Sequence, residues 1–292
     1  MQTGLEQAKK MTVGFIGLGF MGGSIAKALK SRLGVRVVAY DTNEQVLLTA
    51  RHNDIADETV SEIGEAFRQC DIVYLTAPAS HNLFNMRIVL PFLSPDAILT
   101  DVSGVKQPVH RLAEDARAGM RFVGGHPMTE KERAGLQYAE ASLLQGIRYV
   151  LTTSARTDGL RVERMKQIIT AMGAVPVVMR PEEHDRAVAA VSHLPHIVSA
   201  ALLGIVAEND DPKATMRMLS EGGFKQLTKI SSSPPEMWRQ ITLLNAPQIS
   251  LLLEQLIHKL QQTQKSLNRS DQDALMRFFE EARDYRDTME GD

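Results

Sequence analysis

The sequence of 292 residues contains a single cysteine and a single tryptophan, and its acidic and basic residues nearly balance. With only Cys70 present, a disulfide within the chain is excluded, which favours a reducing compartment. Because Cys70 precedes an apolar run, we expect a small packed thiol, with a reactive thiol as the alternative. The formal net charge of −2 shows no basic excess, which argues against a nucleic-acid-binding protein.

Signals for export and membrane insertion are also weak. The first ten residues are polar and lack the apolar core of a signal peptide. Residues 187–207 contain no Asp, Glu, Lys or Arg and are long enough to span a bilayer. However, they include two histidines and a proline, and charged residues crowd both flanks without an aromatic belt. We therefore interpret this stretch as a buried helix of a soluble bundle and expect a cytoplasmic protein without membrane partners.

Hydrophobic periodicity divides the chain near residue 180. Before it, short apolar runs alternate with helical patterns, which is typical of βαβ units. Strands are predicted at residues 12–16, 35–40, 71–75, 97–100, 121–123, 149–152 and 175–178. Helices are predicted at residues 24–31, 182–208, 212–230, 234–266 and 271–289. The predicted fold is thus α/β: a Rossmann-type doubly wound parallel sheet over residues 1–180, followed by an all-helical domain over residues 181–292.

A glycine-rich turn follows the first predicted strand and opens a helix. Its sequence, GLGFMG, comprises Gly17, Leu18, Gly19, Phe20, Met21 and Gly22. The first glycine permits the tight turn, the second admits a pyrophosphate to the backbone, and the third lets the helix pack on the strand. Phosphates would then lie at the positive N-terminus of the helix. The alternative is a glycine-rich turn without a ligand.

The end of the second predicted strand bears on the choice of cofactor. Asp41 lies there, nineteen residues after the last glycine of the turn. A carboxylate in this position binds the ribose 2′-hydroxyl and would repel the 2′-phosphate of NADP. No Arg occupies the next two positions, so the sequence predicts NAD. Thr76, Ala77 and Pro78 follow another predicted strand and are candidates to line the same cleft, or form only a loop.

Three polar segments lie further along the chain. They are residues 101–106 (DVSGVK), residues 124–128 (GGHPM) with Glu132, and residues 192–196 (SHLPH). Ligands of open α/β sheets bind beyond the carboxyl ends of strands, and a histidine there suits proton transfer near neutral pH. His193 and His196 share one helical face around Pro195, which can kink the helix. Zinc ligation and two satisfied core histidines are the alternatives; without a carboxylate or cysteine cluster, no metal is predicted.

Together these segments resemble the prephenate dehydrogenase family. The matching motifs are the GLGFMG turn, GGHPM, SHLPH, and residues 222–230 (GGFKQLTKI) followed by Trp238. The resemblance covers about residues 11–290. It implies NAD-dependent oxidative decarboxylation of prephenate, a cyclohexadienol, to 4-hydroxyphenylpyruvate in tyrosine biosynthesis. It also implies that the helical domain dimerises, giving a homodimer.

The resemblance further implies roles for individual residues. His126 would hydrogen-bond the ring hydroxyl and accept its proton as hydride departs. His196 would contact the substrate, and His193 would help to shape the pocket. Glu132 matches an acidic residue that guards the entrance of the site in relatives. Trp238 would complete the wall of the pocket, with the partner subunit as one source of this side chain.

Departures from the family pattern bear on the substrate. Relatives often have Ser where Gly104 stands, and its hydroxyl helps to hold the catalytic histidine; Ser103 is adjacent. Residues 129–135 are bulkier and more charged than usual. Lys229 stands where the family commonly has Arg, whose bidentate grip on a carboxylate a lysine lacks. These departures keep open arogenate or an amino-substituted cyclohexadienol as substrate, and an NAD-binding sensor without catalysis.

Overall fold

An eight-stranded sheet forms the first part of the computed structural model, which describes residues 10–129 and 135–290. The strands are β1 (Thr12–Ile16), β2 (Arg36–Tyr40), β3 (Glu58–Val60), β4 (Ile72–Leu75), β5 (Ile98–Asp101), β6 (Phe122–Pro127), β7 (Arg148–Thr152) and β8 (Val175–Met179). Their order in the sheet is β3-β2-β1-β4-β5-β6-β7-β8. This places β1 and β4, which run towards the glycine-rich turn and Thr76, side by side.

The sheet is doubly wound, as predicted. Its helices are α1 (Phe20–Leu33), α2 (Glu44–His52), α3 (Ala79–Val89), α4 (Gln107–Asp115) and α5 (Gly159–Ala171). Successive strand residues point to opposite faces, so Phe15 packs in one core with α1 and α5, whereas Ile16 packs in the other with α3 and α4. Cys70 is buried in the second core, and burial, followed by the nearby Asp71 charge, raises its pKa to about 12. The prediction of a packed thiol is confirmed.

The prediction of parallel pairing holds for six strands and is wrong for one junction. Strands β1 to β6 pair in parallel, but β7 pairs antiparallel with β6 and parallel with β8. In the described part, the connection from β6 to β7 contains two 3-10 turns, Leu136–Tyr138 and Ala141–Leu144, and no α-helix. The crossover helix that usually joins parallel neighbours is therefore absent from the described part of this connection.

Helices make up the second part. They are α6 (Pro181–Val188), α7 (Leu194–Asn209), α8 (Thr215–Leu219), α9 (Gly223–Thr228), α10 (Pro235–Leu244), α11 (Ala246–Asn268) and α12 (Gln272–Asp287). The predicted helix at 212–230 is interrupted at Gly222, whose φ of 53° is left-handed. The predicted helix at 234–266 is interrupted at Asn245, because Pro247 in the next turn favours a new helix start.

One long rod crosses this part of the molecule. The helices α6 and α7 are continuous through a π-helical turn, Ala189–His193, which ends two residues before Pro195. Among the described residues, this rod is the one helix long and apolar enough to cross a membrane. Only 28% of its apolar window is buried inside the chain, so the predicted burial is not achieved within a single subunit.

Candidate active site

The glycine-rich turn joins β1 to α1 in a shape that side chains would obstruct. Gly17 has a φ of 89°, and a β-carbon there would lie 2.6 Å from the backbone nitrogen of Ala77. A β-carbon on Gly22 would lie 2.6 Å from the hydroxyl oxygen of Thr76. The backbone N–H of Thr76 donates to the carbonyl of Ile16 at 2.9 Å, and its hydroxyl donates to Gly17. These contacts hold the loops after β1 and β4 together.

The N-terminus of α1 fits a phosphate group. Gly19 is the N-cap, no side chain caps the helix, and a β-carbon on Gly19 would meet nothing within 4 Å. The first N–H groups therefore face open space, where an anion is stabilised by the helix dipole. Leu18 is buried in the core, whereas Phe20 and Met21 are half-buried in the first turn.

Asp41 lies beside this turn, at the end of β2. Its two carboxylate oxygens accept hydrogen bonds from the backbone N–H groups of Leu18, at 2.7 Å, and Asn43, at 2.9 Å. Each oxygen retains a lone pair for a ribose hydroxyl. The open helix end and this carboxylate fit a bound NAD. Ala77, whose N–H donates to Asn82 at 3.1 Å, and Pro78 border the same loops.

His126 lies on the same edge of the sheet. Val123 pairs with Thr100 of the parallel strand β5, and β6 then continues three residues further to His126. His126 is therefore beyond the carboxyl end of β5, where open α/β sheets bind ligands. A β-carbon on Gly104 would lie 3.8 Å from Nε2 and from Cε1 of the His126 ring. This glycine leaves room beside the ring.

The two glycines before His126 are required by close packing. A β-carbon on Gly124 would lie 2.3 Å from the hydroxyl oxygen of Thr152, and one on Gly125 would lie 2.5 Å from the carbonyl of Asp101. Neither neighbour can move easily, because both belong to adjacent strands. The GGH sequence thus brings the backbone of β6 close enough to its neighbours to fix the position of His126.

A buried ion pair between Lys106 and Asp101 contacts the backbone of β6. The ammonium of Lys106 lies 2.7 Å from both carboxylate oxygens of Asp101 and donates to the carbonyl of Gly125 at 2.6 Å. Both charged side chains are fully buried. Asp101 also accepts from the N–H of Gly125 at 3.1 Å and of Ser103 at 3.1 Å. The pair therefore holds the loop after β5 against β6.

His126 contacts a second histidine. Its Nδ1 lies 2.8 Å from Nε2 of His184, and Nδ1 of His184 lies 2.8 Å from the carboxylate of Asp185. Burial, followed by the proximity of His184, Lys106 and His193, holds the pKa of His126 well below its ordinary value of 6.5. Near neutral pH the ring is uncharged, which suits a proton acceptor.

A third cluster involves both histidines of the SHLPH segment. The ring of Trp238 stacks on His196 with a centroid separation of 3.5 Å and meets His193 edge-on at 5.9 Å. Nδ1 of His196 lies 3.0 Å from the carbonyl of Ser192, and Nδ1 of His193 lies 3.1 Å from the amide nitrogen of Asn245. Trp238 thus reaches these histidines within its own chain.

Two polar atoms in this cluster are buried without a partner. Nε2 of His196 and Nε1 of Trp238 have no hydrogen bond within the described ranges. His193 is a satisfied buried histidine on the Asn245 side, and burial lowers its pKa to about 4. The same ranges contain no group of three or more His, Cys, Asp or Glu that could hold a metal ion.

The remaining predicted residues are more dispersed. Ser103 is buried, and its hydroxyl accepts from the amide of Asn82 at 3.4 Å. Lys229 is exposed at the start of the 3-10 turn Lys229–Ser232, which a 2.6 Å hydrogen bond between Ser231 and Ser199 ties to α7. Glu132, expected at the entrance of the site, lies outside the described residues.

Sequence reasoning missed His184, Asp185 and Asn245. All three are buried polar residues. His184 contacts His126, Asn245 contacts His193, and Asp185 contacts His184. The only signal was an adjacent His–Asp pair just after the helix-starting Pro181, which is also an ordinary exposed pattern. Lys106 belongs to the polar segment at residues 101–106, but its sequence position alone predicted no role for it.

Comparisons with known proteins agree with this geometry. Residues 25–178 match the nucleotide-binding domain of prephenate dehydrogenase, and residues 180–281 match its dimerization domain. Prephenate dehydrogenase of Bacillus subtilis is 31% identical over 96% of this chain and 76% of its own length. Cyclohexadienyl dehydrogenase of Zymomonas mobilis is 30% identical over 96% of both chains.

A solved structure is similar along nearly the whole chain. Prephenate dehydrogenase from Aquifex aeolicus, in complex with hydroxyphenyl propionate and NAD+, has a TM-score of 0.90 and 31% identity. The alignment covers 97% of this chain and 100% of that one. The open glycine turn, Asp41 and His126 lie at one edge of the sheet, in agreement with these likenesses. The chain belongs to the prephenate dehydrogenase family and is an NAD-dependent dehydrogenase.

Proposed function

We propose that this chain converts prephenate to 4-hydroxyphenylpyruvate, with release of carbon dioxide and reduction of NAD. The observation that carries the proposal is the placement of His126 beyond the carboxyl end of β5, with its Nε2 beside the space at Gly104. The names of the relatives from Bacillus subtilis and Aquifex aeolicus support the choice of substrate.

His126 performs the proton transfer in this reaction. Its uncharged Nε2 accepts the proton of the ring hydroxyl, which raises the electron density on the carbinol carbon. That carbon loses a hydride, for which bound NAD supplies the acceptor. As the ring carboxylate leaves as carbon dioxide, its bonding pair enters the ring, and the oxygen recovers a proton from His126. No proton is consumed overall.

The cluster of Trp238, His193 and His196 binds the side chain of the substrate. A buried polar atom without a partner costs about 1–3 kcal/mol, so Nε2 of His196 and Nε1 of Trp238 are suited to groups on a ligand. The indole N–H donates to a carboxylate, and His196 contacts the same side chain. We assign Ser103 to the pocket wall. Lys229 would bind a carboxylate of the substrate, and Glu132 would lie at the entrance of the site.

A homodimer is the proposed state of the enzyme in the cytoplasm. We place the nucleotide-binding domain at residues 1–180 and the helical dimerisation domain at residues 181–292. The apolar rod α6–α7, only 28% of whose apolar window is buried in one subunit, supports this assignment because a second copy would bury more of it. The buried free thiol of Cys70 is consistent with a reducing compartment.

A second candidate substrate is arogenate or an amino-substituted cyclohexadienol. For the amino-substituted compound, the specific observation is the absence of a side chain at Gly104, which leaves space next to the base. A ring amino group in place of the hydroxyl could occupy that space and donate to Nε2 of His126. Arogenate keeps the ring hydroxyl and differs from prephenate in its side chain, so Gly104 does not bear on that choice.

A substrate panel tests these alternatives. Purified protein is mixed with NAD and, separately, prephenate, arogenate and 4-amino-4-deoxyprephenate, and NADH absorbance is followed. A kcat/KM highest for prephenate supports the proposal, whereas a higher value for either other compound selects the second candidate. Tight binding of NAD without turnover of any of the three compounds would instead identify an NAD-binding sensor.

A further inference from the structure

Three side chains form a line that starts at the proposed base. The Nδ1 atom of His126 lies 2.8 Å from Nε2 of His184, whose own Nδ1 lies 2.8 Å from Oδ1 of Asp185. His184 and Asp185 are 1% and 0% exposed. Neither residue is within the three motifs that marked the site in the sequence. Their burial makes each hydrogen bond costly to break, because water cannot substitute for a missing partner.

Asp185 determines where the first proton lies. Its carboxylate also accepts from the backbone N–H groups of Lys106, at 2.7 Å, and Gln107, at 2.8 Å. Burial opposes ionisation of Asp185, but the hydrogen bonds from His184, Gln107 and Lys106 outweigh it and lower the pKa. An ionised carboxylate only accepts hydrogen bonds. Nδ1 of His184 must therefore carry a hydrogen.

The remaining protons follow from the rules of imidazole chemistry. Burial lowers the pKa of His184, so its ring is uncharged and its Nε2 has a lone pair. That lone pair accepts a hydrogen bond, which places the hydrogen of the 2.8 Å contact on Nδ1 of His126. His126 is also uncharged, so its Nε2 has the free lone pair. This atom faces the open space at Gly104.

We propose that His184 and Asp185 are positioning residues that fix the tautomer of His126, so that Nε2 and not Nδ1 is the base. An isolated imidazole exchanges between two tautomers, and one of them carries a hydrogen on Nε2 and cannot accept the substrate proton. The line also resists rotation of the His126 ring. The charged and titratable groups around it are Lys106, His193 and Asp101. The inference deepens the proposed role of His126 and rests on it.

Nuclear magnetic resonance of the ¹⁵N-histidine-labelled enzyme tests the tautomers directly. Long-range ¹H–¹⁵N correlations distinguish a protonated ring nitrogen from a bare one, and spectra of the His126→Asn and His184→Gln variants assign the two rings. We expect hydrogen on Nδ1 and none on Nε2 in both His126 and His184. A hydrogen on Nε2 of His126 in the unaltered enzyme would overturn the proposal. This measurement requires no turnover, so it is independent of the substrate.

A matched pair of substitutions at His184 provides the kinetic test. Gln has an amide oxygen that can accept from Nδ1 of His126, whereas Leu has a similar size and cannot. We expect His184→Leu to populate the Nε2–H form of His126 and lower kcat about tenfold or more. KM and the affinity for NAD should change little, and His184→Gln should retain most of the rate. Equal kcat values for the Leu and Gln variants would contradict the proposal, whether both are active or both are impaired.

Failure of the proposed function has a different signature. If the unaltered enzyme turns over none of the three candidate substrates, the role of His126 as a base is wrong. The tautomers measured by NMR then still report whether Asp185 and His184 set the proton positions. Turnover of prephenate together with the wrong His126 tautomer would reject only the positioning role.

Discussion

The two nitrogens of His126 have different surroundings, and that difference underlies its chemistry. Nδ1 is held by His184, whereas Nε2 adjoins the space left by Gly104. Burial and nearby cationic or histidine groups favour the uncharged ring. A ring with one occupied nitrogen and one open nitrogen is suited to accept a proton from a ligand.

The pH dependence of kcat/KM reports this environment. A lowered pKa keeps the base uncharged further into acid, so activity should persist below pH 6.5 and fall only as pH drops through the pKa of His126. The profile is measured with NAD at saturation and prephenate well below KM. An acid limb centred at or above 6.5, the ordinary value of the imidazole, would contradict the assignment of His126.

Gly104 provides a second prediction at the residue scale. A β-carbon there is in ordinary contact with the His126 ring at 3.8 Å, so Gly104→Ser should fold normally and bring a hydroxyl within reach of Nε2. That hydroxyl would donate to Nε2 and occupy the lone pair that must accept the substrate proton. One such hydrogen bond is worth about 1 kcal/mol, so we expect kcat with prephenate to fall by roughly fivefold.

The matched control for that change is Gly104→Ala, which adds the β-carbon without the hydroxyl. It should leave kcat near that of the unaltered enzyme. Equal effects of Ser and Ala on kcat would show that the space at Gly104, and not a hydroxyl, governs the rate.

The glycine-rich turn and the β6–β7 pair show what sequence can predict at the scale of elements. The turn is local: strand, glycines and helix are contiguous, so its pattern alone predicted it. The reversal of β7 accompanies a connection whose described residues form no crossover helix, and no residue within β7 signals it. The contact of His126 with His184 spans 58 positions, and its partners lie on separate elements. Spacing therefore predicted His126 and missed His184.

The ion pair that links the loop after β5 to β6 predicts a large loss of stability in Lys106→Met. Without the ammonium, the buried carboxylate of Asp101 has no neutralising charge, which costs about 3–5 kcal/mol. Denaturant unfolding measures the free energy. Lys166→Met is the control, since its partner Glu163 is on the surface and exposed ion pairs contribute little. Similar losses in both variants would contradict the structural role of Lys106.

The whole molecule carries an apolar helical face that a single subunit leaves open. Ile205 on α7 is 57% exposed. We expect light scattering with size-exclusion chromatography to give the mass of two chains, and Ile205→Glu to shift the enzyme towards one chain. Leu160→Glu is the control, because Leu160 is 81% exposed and lies on α5 of the sheet domain. A monomeric unaltered enzyme would contradict the proposed homodimer.

The roles of the sheet part and the helical part could be predicted in outline but not in detail. Periodicity separated the sheet from the helices, and the motifs identified the cofactor edge. The stacking of Trp238 on His196 within one chain could not be predicted, because it depends on how α10 packs against α7. The site thus combines a locally encoded cofactor turn with polar contacts that only the folded chain brings together.

The most direct test of the central claim is the stoichiometry of the reaction with prephenate. NADH, carbon dioxide and 4-hydroxyphenylpyruvate are measured in the same samples for the unaltered enzyme and for His126→Asn. We predict equal amounts of all three products, and a kcat lower by roughly 10²–10⁴ in the variant. Unequal amounts of NADH and carbon dioxide, or an unchanged rate in His126→Asn, would contradict this account.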